Sequence, residues 1–202
     1  IPNGVNRPKL REAEMISKKF GISKDSYILF LGRLVPEKGI RYLVEAFKQV
    51  KTDKKLVIAG GSSDTNSFMK ELQELAKADD RIIFTGFVQG QLLDELYSNA
   101  YIYTLPSDLE GMPLSLLEAM SYGKCCVVSD IPECTEVVED KALIFKKADI
   151  NDLRDKLQST CDYPRMVTKL KQQAADFICK KYNWDDVVEE TMQLYRRVRS
   201  DI

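Results

Sequence analysis

Two carboxylates, Glu110 and Glu118, head the residues of this 202-residue chain that could do chemistry. They bracket the run Glu110-Gly111-Met112-Pro113-Leu114-Ser115-Leu116-Leu117-Glu118, just behind a short apolar stretch, Tyr101 to Thr104, that reads as a strand. Pro113 suits the first position of a helix, where its missing N–H costs nothing. Glu118 then lies about a turn and a half inside that helix. Helical side chains lean toward the N-terminus, so Glu118 points back at the loop carrying Glu110. Such a region can accept sugar hydroxyls with its carboxylates and an anion with the free amides of the helix start.

A complementary pair of cations precedes it, in Gly32-Arg33-Leu34-Val35-Pro36-Glu37-Lys38-Gly39. Gly32 permits close backbone approach, Arg33 offers a planar donor fork, and Lys38 a compact charge. Together they suit a diphosphate; as isolated loop residues they read equally as solvated charges. Gly60-Gly61-Ser62-Ser63 is either a phosphate cradle or a plain strand-to-helix turn, since it fits neither Gly-x-Gly-x-x-Gly nor the Walker pattern. Phe87 and Val88, after Thr85-Gly86, read as core packing.

The elements that must position these residues alternate along the chain. Tyr27–Leu31, Leu56–Ala59, Arg81–Phe84, Tyr101–Thr104, Val127-Val128 and Ala142–Phe145 are six short apolar strands. Helices are expected between them: Ile40, Leu43, Val44, Phe47 and Val50 share one face, and Ser67 to Lys77 and Gln91 to Asn99 are helical. From Asn151 onward the chain is helical, with Pro164 starting one helix and Asn183 capping another. The fold class is α/β, a single Rossmann-like domain with a six-stranded parallel sheet and helices on both faces. Residues 1–8 read as a linker-like hinge, 9–182 as the domain, and 183–202 as a C-terminal helix. In such sheets ligands bind beyond the C-terminal strand ends, where all these loops lie.

Composition removes several alternatives. A net charge of -1 gives no electrostatic case for nucleic acid. No apolar stretch approaches the ~20 residues of a membrane span. The absence of histidine excludes a Ser-His or Cys-His pair within these residues, and five cysteines without CxxC spacing give no metal-ligand pattern. The opening Ile1-Pro2-Asn3-Gly4 lacks both a signal sequence and an initiating Met, so the chain reads as a fragment or excised domain.

The run Ser107 to Gly123, followed by Cys125-Cys126-Val127-Val128-Ser129-Asp130, resembles the Glu-x7-Glu segment of the family 4 nucleotide-sugar glycosyltransferases. The Arg33/Lys38 loop resembles that family's Gly-Arg-Leu-x-x-Glu-Lys-Gly loop. Tyr182-Asn183-Trp184 is similar to its closing segment, and Pro2-Asn3-Gly4-Val5 to the entry into its second half. The resemblance implies the C-terminal, donor-binding half of a GT-B enzyme that transfers a sugar, a hexose in type, from a nucleoside diphosphate with retention. Arg33 and Lys38 would bind the phosphates, Glu110 the donor sugar, and Glu118 the ribose. Gly32, Gly60 and Gly61 would line the cleft, and the main chain at Val88 would read the base. Backbone groups of Gly111, Met112, Leu114 and Ser115 would face sugar and phosphates. No metal and no cofactor is expected, the donor being substrate. The partners implied are the donor and an N-terminal acceptor domain, in the cytoplasm or at the inner membrane face. A non-catalytic nucleotide or nucleotide-sugar binding module is the alternative. Pro132-Glu133 stands where many relatives carry two glycines, so that loop should be stiffer and more acidic; Glu136 just beyond reads as a helix cap.

Overall fold

A computed structural model describes residues 2–61 and 66–200. Six strands form one parallel sheet: β1 (Tyr27–Leu31), β2 (Lys55–Ala59), β3 (Ile82–Gly86), β4 (Ile102–Leu105), β5 (Cys125–Ser129) and β6 (Leu143–Phe145). Their order is β3-β2-β1-β4-β5-β6. The chain steps outward from β1 to β3, then crosses to β4 and steps outward the other way. Right-handed crossovers therefore place the helices of the two halves on opposite faces. The switch falls between β1 and β4, where Ile28 pairs with Ile102 and Leu29 with Tyr103.

Helices α1 (Met15–Phe20), α2 (Ile40–Lys48), α3 (Asn66–Ala76), α4 (Gln91–Asn99), α5 (Leu114–Ser121), α6 (Pro132–Val138), α7 (Ile150–Asp162), α8 (Pro164–Lys181) and α9 (Trp184–Ser200) complete the fold, with a 3-10 turn at Pro36–Lys38. α2 packs on α3 and α7, α4 on α1, and α5 on α8. α2 buries Ile40, Leu43, Val44 and Phe47 on one stripe, as expected. β5 is fully buried along its length, the mark of a strand covered on both faces.

Several helix starts follow local chemistry. Asp149 caps α7 by accepting from Asn151 N at 3.1 Å and Asp152 N at 3.0 Å. Asn183 caps α9 in the same way, its Oδ1 2.8 Å from Asp186 N. α1 has no cap of its own. Glu95, buried on α4, accepts from the N–H groups of Glu14, Met15 and Ile16 at 3.0, 2.7 and 3.1 Å. Burial raises the Glu95 pKa, but Gln91 and those three backbone groups outweigh it and hold the carboxyl below its usual range.

Two expectations shift. Pro113 is the N-cap rather than the first helical residue: its ψ of 74 is not helical, and its carbonyl accepts from both Leu116 and Leu117. Pro132-Glu133 is the first turn of α6 rather than a loop, and Glu136 lies inside that helix rather than capping it. Among the described residues no helix is long and apolar enough to cross a membrane.

Candidate functional site

The C-terminal ends of β1, β2 and β3 continue to pair beyond the strands. Gly32 N donates to Ala59 O at 3.1 Å, Leu34 N to Gly61 O at 3.0 Å, and Gly60 N to Gly86 O at 3.0 Å. This lacing demands glycine at position 60. Its φ is +151, and a Cβ there would lie 1.9 Å from the Gly32 carbonyl oxygen. The result is a cavity of about 450 Å³ lined by Gly32, Arg33, Gly60, Gly61, Phe87 and Val88. Ser62 and Ser63, the other half of the suggested cradle, lie outside the described residues.

Arg33 is exposed at this cavity, and its guanidinium has no hydrogen-bond or ion-pair partner among the described residues. Val88 is buried, as expected of a core residue. Phe87 is not: it is 75% exposed, so its reading as core packing is corrected. β3 ends at Gly86 with φ +71, and that turn throws the next side chain outward.

Lys38 is already occupied. Its Nζ lies 2.6 Å from Glu110 Oε1 and 2.7 Å from Oε2, and Ser107 Oγ donates to Oε1 at 2.6 Å. Glu110 is 9% exposed, and Ser107 is fully buried. Ser107 is fixed in turn by Ser129 Oγ, which donates to its carbonyl at 2.6 Å. The loops after β1 and β4 are also fastened by Asp108 N to Glu37 O at 2.8 Å. Gly39 closes the same seam, with φ +65 and space for no side chain beside the Pro106 carbonyl.

Glu118 occupies a different environment. It lines a second cavity, of about 390 Å³, between α4, α5 and the segment Asn3–Pro8, with Trp184 at one side. Its Oε2 accepts from Tyr97 Oη at 2.9 Å. Glu110 and Glu118 thus do not share one pocket; the first is engaged by a lysine, the second by a tyrosine. The helix start between them offers fewer amides than spacing suggested. Leu114 N turns back on Met112 O at 2.8 Å, while Ser115 N has no backbone acceptor among the described residues. Gly111 is open, with nothing near its Cα face.

Tyr103 joins the two halves. Its hydroxyl lies 2.8 Å from Ser115 Oγ and 3.3 Å from Leu31 O, bridging the end of β1 to the first turn of α5. Burial lifts the Tyr103 pKa well above its ordinary value, so the phenol stays a donor. Sequence reasoning missed Ser107, Tyr97 and Tyr103; the two tyrosines meet candidate residues through the fold, while Ser107 reaches Glu110 from three positions away in the same loop.

The chain is similar to an uncharacterized glycosyltransferase of Methanocaldococcus jannaschii, 30% identical over 187 residues, covering 89% of this chain and 47% of that protein. The chain spans about half the length of the curated relatives it matches. Among solved structures, sucrose-phosphate synthase from Thermosynechococcus elongatus superposes with a TM-score of 0.85 and 25% identity, over 100% of this chain and 53% of that one. Anabaena HepE in complex with UDP-glucose superposes with a TM-score of 0.80 over 92% of this chain and 51% of that one, at 18% identity, a likeness of fold. Residues 12–177 match the profile of the group 1 glycosyl transferases, and the chain belongs to that family.

Proposed function

We propose that this chain is the donor-binding half of a retaining, family 4 glycosyltransferase that takes a hexose from a nucleoside diphosphate sugar. The observation that carries this is Arg33, whose guanidinium has no partner among the described residues, beside a glycine-floored cavity at the C-terminal strand ends. A free cation there lacks any structural task and suits a diphosphate. The base would lie in the cavity with the Val88 main chain, and Glu118 would take the ribose. Gly111, Met112, Leu114 and Ser115 would flank sugar and phosphates. The fold shared with a UDP-glucose complex supports a nucleotide-sugar donor.

The Lys38–Glu110 pair gives the site a resting state. A donor that brings a diphosphate and a sugar would replace it: phosphate oxygens take the ammonium, and sugar hydroxyls donate to the carboxylate. As the glycosidic bond breaks, negative charge grows on the leaving diphosphate. Arg33, Lys38 and the N-terminal end of α5 would stabilise it electrostatically. No metal or cofactor is assigned to this step. The acceptor would be bound by a preceding domain, with the donor drawn from the cytoplasm and peripheral contact at the inner membrane face.

Calorimetric titration with UDP, GDP, ADP and NAD tests the reading. One nucleoside diphosphate is expected to bind saturably, and Arg33→Ala to weaken it by roughly 10- to 100-fold, the loss of one charge-assisted contact. NAD binding alone, or an unchanged affinity in the variant, overturns it. Sugar transfer by this chain alone would refute the separate acceptor domain.

A further inference from the structure

Tyr97 has the surroundings of a core residue and one contact that is not. On α4 it is 1% exposed, with its ring stacked on Tyr122 at 5.1 Å between centroids and tilted against Tyr103 at 6.2 Å. Tyr122 Oη is tied to Asp94 Oδ1 at 2.7 Å, so the stack is anchored at its far side too. The Tyr97 hydroxyl leaves this packing and reaches Glu118 Oε2 at 2.9 Å. Ser115 O, at 3.2 Å, is the other acceptor in reach among the described residues. A phenol has one proton, and the charged, nearer carboxylate takes it.

Glu118 is otherwise an exposed glutamate on a helix surface, its carboxylate without another hydrogen-bond partner among the described residues. Left alone it would sample several rotamers, and binding would have to order them. The bond to Tyr97 selects one. Glu118 lines the second cavity, and its Oε1 has no hydrogen-bond partner among the described residues. A carboxylate held in this way accepts two neighbouring hydroxyls side by side.

We propose that Tyr97 is a positioning residue: it holds Glu118 in the rotamer that accepts the vicinal hydroxyls of the donor's ribose. This rests on the donor-site reading above. The aromatic stack is what makes the hold firm, because the Tyr97 ring has no space to swing away. Burial, with Tyr103 and Glu118 adding to it, keeps the phenol protonated and therefore donating.

The test compares UDP, GDP and ADP with their 2′,3′-dideoxy counterparts on the wild-type chain and on Tyr97→Phe, which keeps the ring stack and removes only the hydroxyl. The wild-type chain is expected to prefer its ribonucleotide over the dideoxy form by about tenfold or more, the size of a charge-assisted hydrogen bond. Tyr97→Phe is expected to lose most of that preference while binding the dideoxy form as tightly as wild type. A merely structural tyrosine would weaken both forms together, or leave the preference intact, and either result overturns the proposal. Glu118→Asp, on the exposed face, gives a second arm that leaves the stack untouched. Its shortened carboxylate keeps the charge but falls short of the phenol, and retention of the full ribose preference would overturn the proposal as well. A wild-type chain that binds ribo and dideoxy forms equally refutes the ribose role of Glu118 and this inference with it. A wild-type chain that binds none of the three nucleotides refutes the donor-site reading itself.

Discussion

Replacing Lys38 by Met separates the two tasks its ammonium performs. It sits 2.6 and 2.7 Å from the two Glu110 oxygens, with the lysine side chain 16% and the glutamate side chain 6% exposed. At an effective dielectric of about 20, unit charges 4 Å apart attract by roughly 4 kcal/mol. Desolvation of both groups takes back part of this, leaving a net coupling of about 2 kcal/mol. Lys38→Met alone strands a buried carboxylate whose remaining partner among the described residues is Ser107, and is expected to destabilise by about 3 kcal/mol. Glu110→Gln alone retains the Ser107 contact and loses about 1–2 kcal/mol. The double variant should recover about 2 kcal/mol relative to the sum of the singles, read by urea unfolding of all four chains. A coupling under about 0.5 kcal/mol would refute the view that the pair braces the loops after β1 and β4. Arg33→Ala provides the contrast: with no partner to abandon, it should shift stability by no more than about 0.5 kcal/mol.

Two further outcomes follow from geometry outside that pair. Gly60→Ala should cost about 3 kcal/mol or more and abolish nucleotide binding, because its Cβ would overlap the Gly32 carbonyl at a φ of +151. Gly61→Ala, whose nearest neighbour would be Phe87 at 3.7 Å, should stay within about 1 kcal/mol of wild type; equal losses in urea unfolding would contradict the lacing argument. Glu95→Gln should remove about 1–2 kcal/mol at neutral pH by weakening the cap on α1. Since the folded Glu95 pKa is depressed, that increment is present above the unfolded value near ~4.3 and disappears as pH falls through the lower folded one. Unfolding curves of wild type and variant should therefore converge in acid; a constant gap down to low pH would rule out the charged cap.

The sheet was readable because all six strands are short apolar runs between turn residues; β1, β2, β4 and β5 are buried nearly throughout, leaving period-two alternation no part to play, while the edge strands β3 and β6 are mostly half-buried. Strand limits moved by a residue or two, as at β4, expected over Tyr101–Thr104 and found at Ile102–Leu105. Arg33, Gly60 and Gly61 fell where strand-end logic placed them. Other features depended on distant partners. Lys38 and Glu110 are 72 positions apart, and nothing local in either segment announces that each neutralises the other. Glu95 occupies a polar position of an amphipathic helix, yet is buried because α1 presents its bare amides to it. Phe87 and Tyr97 show the opposite failures: an aromatic beside Val88 that faces solvent, and a tyrosine amid polar neighbours that is enclosed. In both cases the direction of the side chain is set by a backbone turn or by ring packing.

The three main-chain bonds that join the ends of β1, β2 and β3 carry no side-chain identity. Provided position 60 stays glycine, substitutions along the rim, at Arg33, Phe87 or the Val88 side chain, leave the cavity's base plate in place. Such a layout favours divergence: a few rim residues can change what lines the cavity without rebuilding the scaffold. It also marks out a compact library for reshaping the cavity, with rim positions randomised and the glycines held constant.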